Sequence, residues 1–110
     1  MAFYAGRLGS PTRLSSTSNT EVYQVPFEQY AMLNVSMTNV SSQAVSVRLA
    51  VATSATPDDW DWIEWDTVIV PNGTLERTSL MVQAERRIVV RASTANAINV
   101  TCYGLLTDNP

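Results

Sequence analysis

Apolar and polar side chains alternate with a period of two through most of the chain after residue 21. One run carries apolar side chains at every second position: Ala31, Leu33, Val35 and Met37. A second run repeats the alternation: Val45, Val47, Leu49 and Val51. A period of two is typical of a β-strand with one buried face. We predict two strands here, joined as a hairpin through the polar stretch 39–43.

Shorter apolar runs separated by turn sequences predict further strands. They lie at 22–25, 60–70, 75–82, 88–92 and 98–105. The sequence Pro71-Asn72-Gly73 is strong turn chemistry, because Pro presets one dihedral angle and Asn-Gly tolerates positive φ. No segment shows apolar residues at helical spacing over three turns, and we expect at most one helical turn near 57–60. About seven or eight regularly spaced strands predict an all-β fold, an antiparallel β-sandwich or jelly-roll.

The first 20 residues differ from the rest because they are rich in Ser, Thr, Gly and Pro and have no sustained period. We expect residues 1–20 to form an extended N-terminal arm and residues 21–110 to form the sandwich domain. We expect the arm to order by lying on a neighbouring subunit; the alternative is an arm that folds back over its own domain or is disordered. The arm residues predicted to contact a partner are Phe3, Tyr4, Arg7, Leu8, Arg13 and Leu14.

Composition narrows the classes of function. The net charge is −3, and the seven basic residues are all Arg and scattered, so no basic stripe predicts nucleic-acid binding. The sequence has no long apolar run, so we predict neither a signal peptide nor a membrane span. The single cysteine, Cys102, rules out an intramolecular disulfide and is expected to be a small buried residue.

The sequence lacks several residue types and motifs on which enzymes commonly depend. The chain has no histidine, which excludes Ser-His and Cys-His nucleophiles and zinc sites built from Cys and His. Four scattered glycines form no phosphate-binding loop. We therefore expect no enzyme, no cofactor and no resident metal.

The densest constellation is DDWDWIEWD, residues 58–66, in which three tryptophans alternate with carboxylates. Its aromatic residues are Trp60, Trp62 and Trp65. Exposed indoles would stack on sugars or on a partner protein. Carboxylates of Asp58, Asp59 and Asp61 would be hard ligands for Ca²⁺, although the spacing is not that of an EF-hand. Paired carboxylates for glycoside hydrolysis form a third alternative.

A structural role for the same segment is the favoured interpretation. Alternation would place indoles in the core beside a solvated acidic face, which would pair with Arg86, Arg87 or Arg91 of the same or an adjacent subunit. The phase of the alternation changes within the segment and indicates a β-bulge near Trp62 or Ile63. Three indoles exceed what one thin core holds, so at least one is expected at an interface.

Several runs together resemble a family of phage proteins. They are VYQVP, TNVSSQAVSVRLAVATSATPDD, IEWDTVIVPNGTLERTSLMVQAERRIVVRAST and VTCYG. Residues 21–105 resemble a short β-sandwich module of tailed-bacteriophage virion proteins, of the head-decoration or tail-fibre type, found in phages of cyanobacteria and other aquatic hosts. The tryptophan-rich stretch 60–65 departs from the commonest members.

The resemblance implies a non-enzymatic structural component located in the virion and assembled in the host cytoplasm. Its partners would be capsid, neck or tail proteins, and it would form homo-oligomers, often trimers. A chain without repeats to build a shaft favours a capsid decoration or cement protein over a fibre component. The alternative function is a carbohydrate-binding module that contacts host surface glycans through exposed tryptophans.

Overall fold

The computed structural model describes residues 3–108, and side chains from residue 4 onward. Its regular elements are almost all strands, together with one 3₁₀ turn at Asp59–Asp61. The strands are β1 (Phe3–Arg13), β2 (Thr20–Gln24), β3 (Gln29–Asn39), β4 (Val45–Ala52), β5 (Trp62–Ile69), β6 (Thr74–Val82), β7 (Arg87–Ala92) and β8 (Ile98–Asp108). No helix within residues 3–108 has the length and apolar character needed to cross a membrane. The predicted single turn is present, one or two residues later than expected.

The strands form two four-stranded antiparallel sheets, so the predicted all-β sandwich is confirmed. Sheet A has the order β1-β8-β3-β6, and sheet B has the order β2-β7-β4-β5. The pairs β1–β8, β2–β7, β3–β6 and β4–β5 follow one long hairpin that is rolled up so that β3 also meets β8 and β4 also meets β7. This is the eight-stranded jelly-roll arrangement.

The predicted hairpin of β3 with β4 is wrong, because β3 lies in sheet A and β4 in sheet B. The buried side chain of Asn39 holds the crossing between the sheets. Its Nδ2 donates to the carbonyls of Gln43 (2.7 Å) and Ile69 (2.9 Å), and its Oδ1 accepts from the backbone N–H (2.9 Å) and hydroxyl (2.7 Å) of Ser41. Every hydrogen-bonding site of the amide is used, so its burial is compensated.

The connection from β5 to β6 is another corner that crosses between the sheets. The N–H of Gly73 donates to the carbonyl of Val70 at 2.9 Å, and Asn72 has φ of 62°. Positive φ at the third position of the turn, directly after Pro71, fits a type II turn, which confirms the predicted turn. Asn72 also donates its N–H to the carbonyl of Asn39 at 2.9 Å, which ties the two corners together.

The core lies between the sheets and consists of the alternating aliphatic residues of the strands. The side chains that the sequence placed on one face of β3 and β4, such as Leu33, Val35 and Leu49, are fully buried. Cys102 is also buried, as predicted, and burial raises the pKa of its thiol to about 11. The thiol therefore stays protonated at neutral pH and behaves as a small apolar residue.

The N-terminal segment is part of this sandwich. Strand β1 pairs with β8 from Phe3 to Arg13, with a bulge between Leu8 and Thr12. The described residues of the segment lie on their own domain, which was the alternative to the expected position on a neighbouring subunit. The boundary predicted at residue 20 is thereby corrected, because β1 completes sheet A as an edge strand.

Candidate functional site

The outer face of sheet B carries the aromatic segment and is the strongest candidate site. Trp62 lies half-buried over a small apolar cluster on that face, formed by Ala50, Ala52 and Val89. This indole is therefore part of the structure of the sheet. Trp60, in the 3₁₀ turn, is 83% exposed, and Trp65 is 57% exposed. The predicted tryptophans thus divide into one that packs and two that face solvent.

Two bulges in β5 determine which side chains reach the outer face. In the pairing with β4, Ala50 opposes Trp62 and Leu49 opposes Glu64, so Ile63 is an extra residue. The predicted bulge is confirmed at this position. A second extra residue follows, because Val47 opposes Thr67 and only Arg48 remains opposite Trp65 and Asp66. Each bulge reverses the alternation, which places Trp65 and Asp66 beside Arg48.

Arg48 connects the aromatic and acidic parts of this face. Its guanidinium carbon lies 3.6 Å from the centroid of the Trp65 ring. Its Nε and Nη2 donate to the two carboxylate oxygens of Asp66 at 2.7 and 3.2 Å. Trp62 meets Trp65 edge to face, with centroids 5.6 Å apart and planes at 72°. The hydrogen bonds from Arg48 are the main cause that lowers the pKa of Asp66, which keeps the carboxylate ionised.

A shallow depression of about 250 Å³ adjoins this group on the same face. It is lined by Thr17, Ser46, Arg48, Asp66, Arg91, Ala92 and Ser93. Arg48 and Arg91 stand directly opposite each other in the β4–β7 ladder. Among the described residues, no side chain forms a hydrogen bond or ion pair with Arg91. The depression therefore contains one guanidinium in direct contact with Asp66 and a second, that of Arg91, whose charge acts on Asp66 without a direct ion pair.

Within the described part of the chain, the acidic side chains of the segment form no direct ion pair with Arg86, Arg87 or Arg91, although the charge of Arg91 contributes to the lowered pKa of Asp66. Asp66 pairs with Arg48, and Glu64 pairs with Arg77 of β6 at 2.5 Å. Because Glu64 opposes an inward-facing residue, its carboxylate points to the open edge between the sheets, where Arg77 lies. Burial alone opposes ionisation of Glu64, but hydrogen bonds from Thr67 and Arg77 and the charge of Arg77 outweigh it and lower its pKa.

The aspartates before the strand have a local structural role. The carboxylate of Asp61 accepts the backbone N–H of Asp58 at 2.9 Å, and the N–H of Asp61 donates to the Asp58 carbonyl at 3.0 Å. These bonds close the 3₁₀ turn. Within residues 3–108, no three His, Cys, Asp or Glu side chains are grouped so that they could hold a metal ion. The calcium alternative for Asp58, Asp59 and Asp61 therefore gains no support.

The structure divides the predicted contact residues of the N-terminal segment. Leu8 and Leu14 are buried in the core of their own chain, so their predicted contact with a partner is wrong. Tyr4, Arg7 and Arg13 are exposed, and the Nε of Arg13 donates to the Asn99 amide oxygen at 2.8 Å. The side chain of Phe3 lies outside the described part of the chain.

The outer face of sheet A carries a surface that the sequence analysis missed. Registered neighbours across all four strands form a row of exposed apolar side chains, which we call the apolar row: Ala5, Leu105, Met32 and Met81. The signal was present in β3, where Met32 stands among the polar side chains of the outward face. Without the pairing of β3 with β6 and β8, a single exposed methionine had no significance.

No protein-family model and no curated protein matches the chain. The two surfaces therefore have to be interpreted from their own chemistry. The apolar row offers dry contact area, whereas the outer face of sheet B offers an exposed indole beside paired and unpaired guanidinium groups.

Proposed function

We propose that this chain is a non-enzymatic structural component of a bacteriophage virion. It binds neighbouring virion proteins as a capsid decoration or cement protein, or as a neck, tail or fibre component. Two observations support the proposal: the resemblance of residues 21–105 to a phage module, and an eight-stranded jelly-roll, an architecture that viral capsid proteins use. Lectin domains and cupins share that architecture, so the fold alone does not select the function.

The apolar row on sheet A is the observation that carries this proposal. Met32, Leu105 and Met81 expose adjacent apolar side chains on three neighbouring strands. A contiguous exposed apolar surface marks a contact with another protein, and flexible methionines adapt to such contacts. We propose that a neighbouring subunit or virion protein covers this row, in a homo-oligomer such as a trimer, and that the assembled protein resides in the virion after assembly in the host cytoplasm.

The test measures how much of the chain is incorporated into phage particles. The gene is deleted from the phage, and the parent chain or a variant is supplied in trans. Met81→Glu places a charge in the apolar row and is expected to reduce the copy number per particle at least tenfold, measured by quantitative mass spectrometry. Val70→Glu is the matched control, because Val70 is 62% exposed and Met81 61% exposed. Normal incorporation of Met81→Glu would exclude the row as the contact surface.

A second candidate function rests on Trp65. This indole is more than half exposed on the outer face of sheet B, beside hydrogen-bonding groups, which is the combination that a carbohydrate-binding module presents to a sugar ring. Host surface glycans would be the ligands.

Trp65→Ala tests this candidate by affinity electrophoresis against host polysaccharide. Binding should be lost, whereas Phe27→Ala, which removes an exposed aromatic ring elsewhere, should leave it unchanged. Trp62 is unsuitable for this test because it covers Ala50, Ala52 and Val89. Equal binding by the Trp65 variant and the parent chain would contradict the candidate.

A further inference from the structure

We infer that the depression beside Trp65 binds the carboxylate of an acidic sugar, such as a uronic acid residue within a polysaccharide. The inference rests on the second candidate function and specifies its ligand. It depends on three features of the depression: its charge, its excess of hydrogen-bond donors, and its position next to an exposed indole.

The charge of the depression is opposite to that of the whole protein. Arg48 and Arg91 are cross-strand neighbours, and like charges in direct opposition on a sheet repel each other. Asp66 forms a bidentate pair with Arg48 and neutralises one of them. Asp66 also interacts with the charge of Arg91, but two guanidinium groups and one carboxylate still leave the depression with a net positive charge in a chain of net charge −3. An anion bound between the two strands would neutralise that charge and relieve the repulsion.

Donors outnumber free acceptors in the depression. Arg91 presents a guanidinium with no hydrogen-bond partner among the described residues, and its planar fork matches the two oxygens of a carboxylate. The Oγ of Ser93 accepts the backbone N–H of Ser46 at 3.0 Å, so its own hydroxyl hydrogen is available to donate. The oxygens of Asp66 already accept from Arg48. The site is therefore suited to an acceptor with negative charge.

The indole supplies the part of the site that selects a sugar. Arg48 lines the depression and also covers one face of Trp65, so the ring stands at the rim. Trp62 also meets this ring edge to face, but Trp65 is still 57% exposed, so part of the indole is open to a ligand. The apolar face of a pyranose can pack there while its carboxylate enters the depression. A volume of about 250 Å³ lies below the range of drug-sized pockets and fits a single sugar residue.

The experiment is isothermal titration calorimetry at low salt with two probes, tetragalacturonate and its fully methyl-esterified form. The parent chain should bind the acid at least tenfold more tightly than the ester, and added salt should weaken the binding of the acid. Arg91→Gln should reduce affinity for the acid at least tenfold and leave the ester unchanged. Arg7→Gln is the control, because it removes the same charge from an exposed position on sheet A. Far-UV circular dichroism verifies that both variants are folded.

Each other outcome overturns the inference in a recognisable way. If the acid and the ester bind with equal affinity and Arg91→Gln has no effect, the protein binds carbohydrate but the depression does not recognise the carboxylate. Absence of binding to either probe, and to host polysaccharide, would remove the carbohydrate-binding candidate as well. If a poly-glutamate peptide binds as tightly as tetragalacturonate and loses affinity in Arg91→Gln, the depression recognises protein carboxylates and the sugar assignment is wrong.

Discussion

The two outer faces of the jelly-roll are built from equal numbers of antiparallel strands, yet their chemistry differs. On sheet A, Met32, Leu105 and Met81 expose apolar surface with no charged group in the same row. On sheet B, Arg48 contacts both an indole and a carboxylate, and Arg91 stands opposite it. Sheet A therefore suits a dry, long-lived protein contact, and sheet B suits a polar ligand that exchanges with water.

The register of the strands explains this difference. The row on sheet A lies in a regular part of the ladder, where alternation alone determines which side chains point outward. On sheet B, the two bulges of β5 place Trp65 and Asp66 together on one face. A bulge can therefore create a polar constellation on a strand whose simple alternation would have separated its members.

The largest expected effect is a loss of stability caused by a substitution in sheet A. It tests whether the two sheets unfold together as one cooperative unit. Gly104 has φ of +152°, and a Cβ there would collide with the carbonyl oxygen of Met32. Gly104→Ala should therefore lower the free energy of unfolding by about 3 kcal/mol or more. All three tryptophans lie in or beside β5 of sheet B, so their fluorescence reports the other sheet.

Urea unfolding followed by tryptophan fluorescence and by far-UV circular dichroism should give the same lowered midpoint. Thr101→Ala, on the same strand, should change the midpoint little. A fluorescence midpoint unaffected by Gly104→Ala would mean that the faces unfold independently.

The next effect separates the two roles of tryptophan on sheet B. Trp62→Ala uncovers Ala50, Ala52 and Val89 and should cost about 2 kcal/mol of stability, because a half-buried indole is lost. Trp65→Ala removes a mostly exposed ring and should cost less than about 1 kcal/mol. Thermal unfolding of the two variants measures the difference. Equal losses would contradict the division into a packing and a ligand-facing indole.

A smaller effect concerns the ion pair between Glu64 and Arg77, which joins the two sheets at their open edge. The side chain of Glu64 is only 14% exposed, and its folded-state pKa lies below the ordinary value of 4.5. Its stabilisation is therefore complete above the unfolded-state pKa and is lost as the pH falls through the folded-state pKa. Arg77→Gln should reduce stability by about 1 kcal/mol at neutral pH.

The stability difference between the parent chain and Arg77→Gln should narrow as the pH falls below 4.5. Urea denaturation at neutral pH and at about pH 3 measures it, with Arg7→Gln as the control for loss of one positive charge. A difference that stays constant over this range would show that the ion pair does not stabilise the edge.

The smallest effect is a change in thiol reactivity. Because burial raises the pKa of Cys102 to about 11, the native chain should react slowly with a thiol reagent at about pH 8, where the thiol is almost fully protonated. Labelling should become fast in urea. In the Gly104→Ala variant, opening of sheet A exposes β8, so native-state labelling should accelerate by the same factor as the opening equilibrium constant, which rises exponentially with the loss of stability. Rapid labelling of the folded parent chain would contradict the burial of Cys102.

Local patterns in the sequence determined much of the fold. The alternation of residues such as Leu33 and Leu49 identified both strands and their buried faces, because side chains of a pleated strand point to opposite sides. Pro71-Asn72-Gly73 identified a turn because its φ angles are a property of those residues. The phase change in DDWDWIEWD predicted a bulge near Trp62 or Ile63, and the strand pairing places it at Ile63.

Only the tertiary structure decided which strands pair, because the pairing partners, apart from the consecutive β4 and β5, lie far apart in the sequence and no local pattern encodes them. This is why β3 and β4 were predicted as a hairpin, and why the N-terminal strand was taken for a separate arm. The apolar row and the group around Arg48 likewise combine residues from distant strands. The sequence by itself determined that this chain forms two layers of strands, whereas long-range pairing determined what each outer face presents to other molecules.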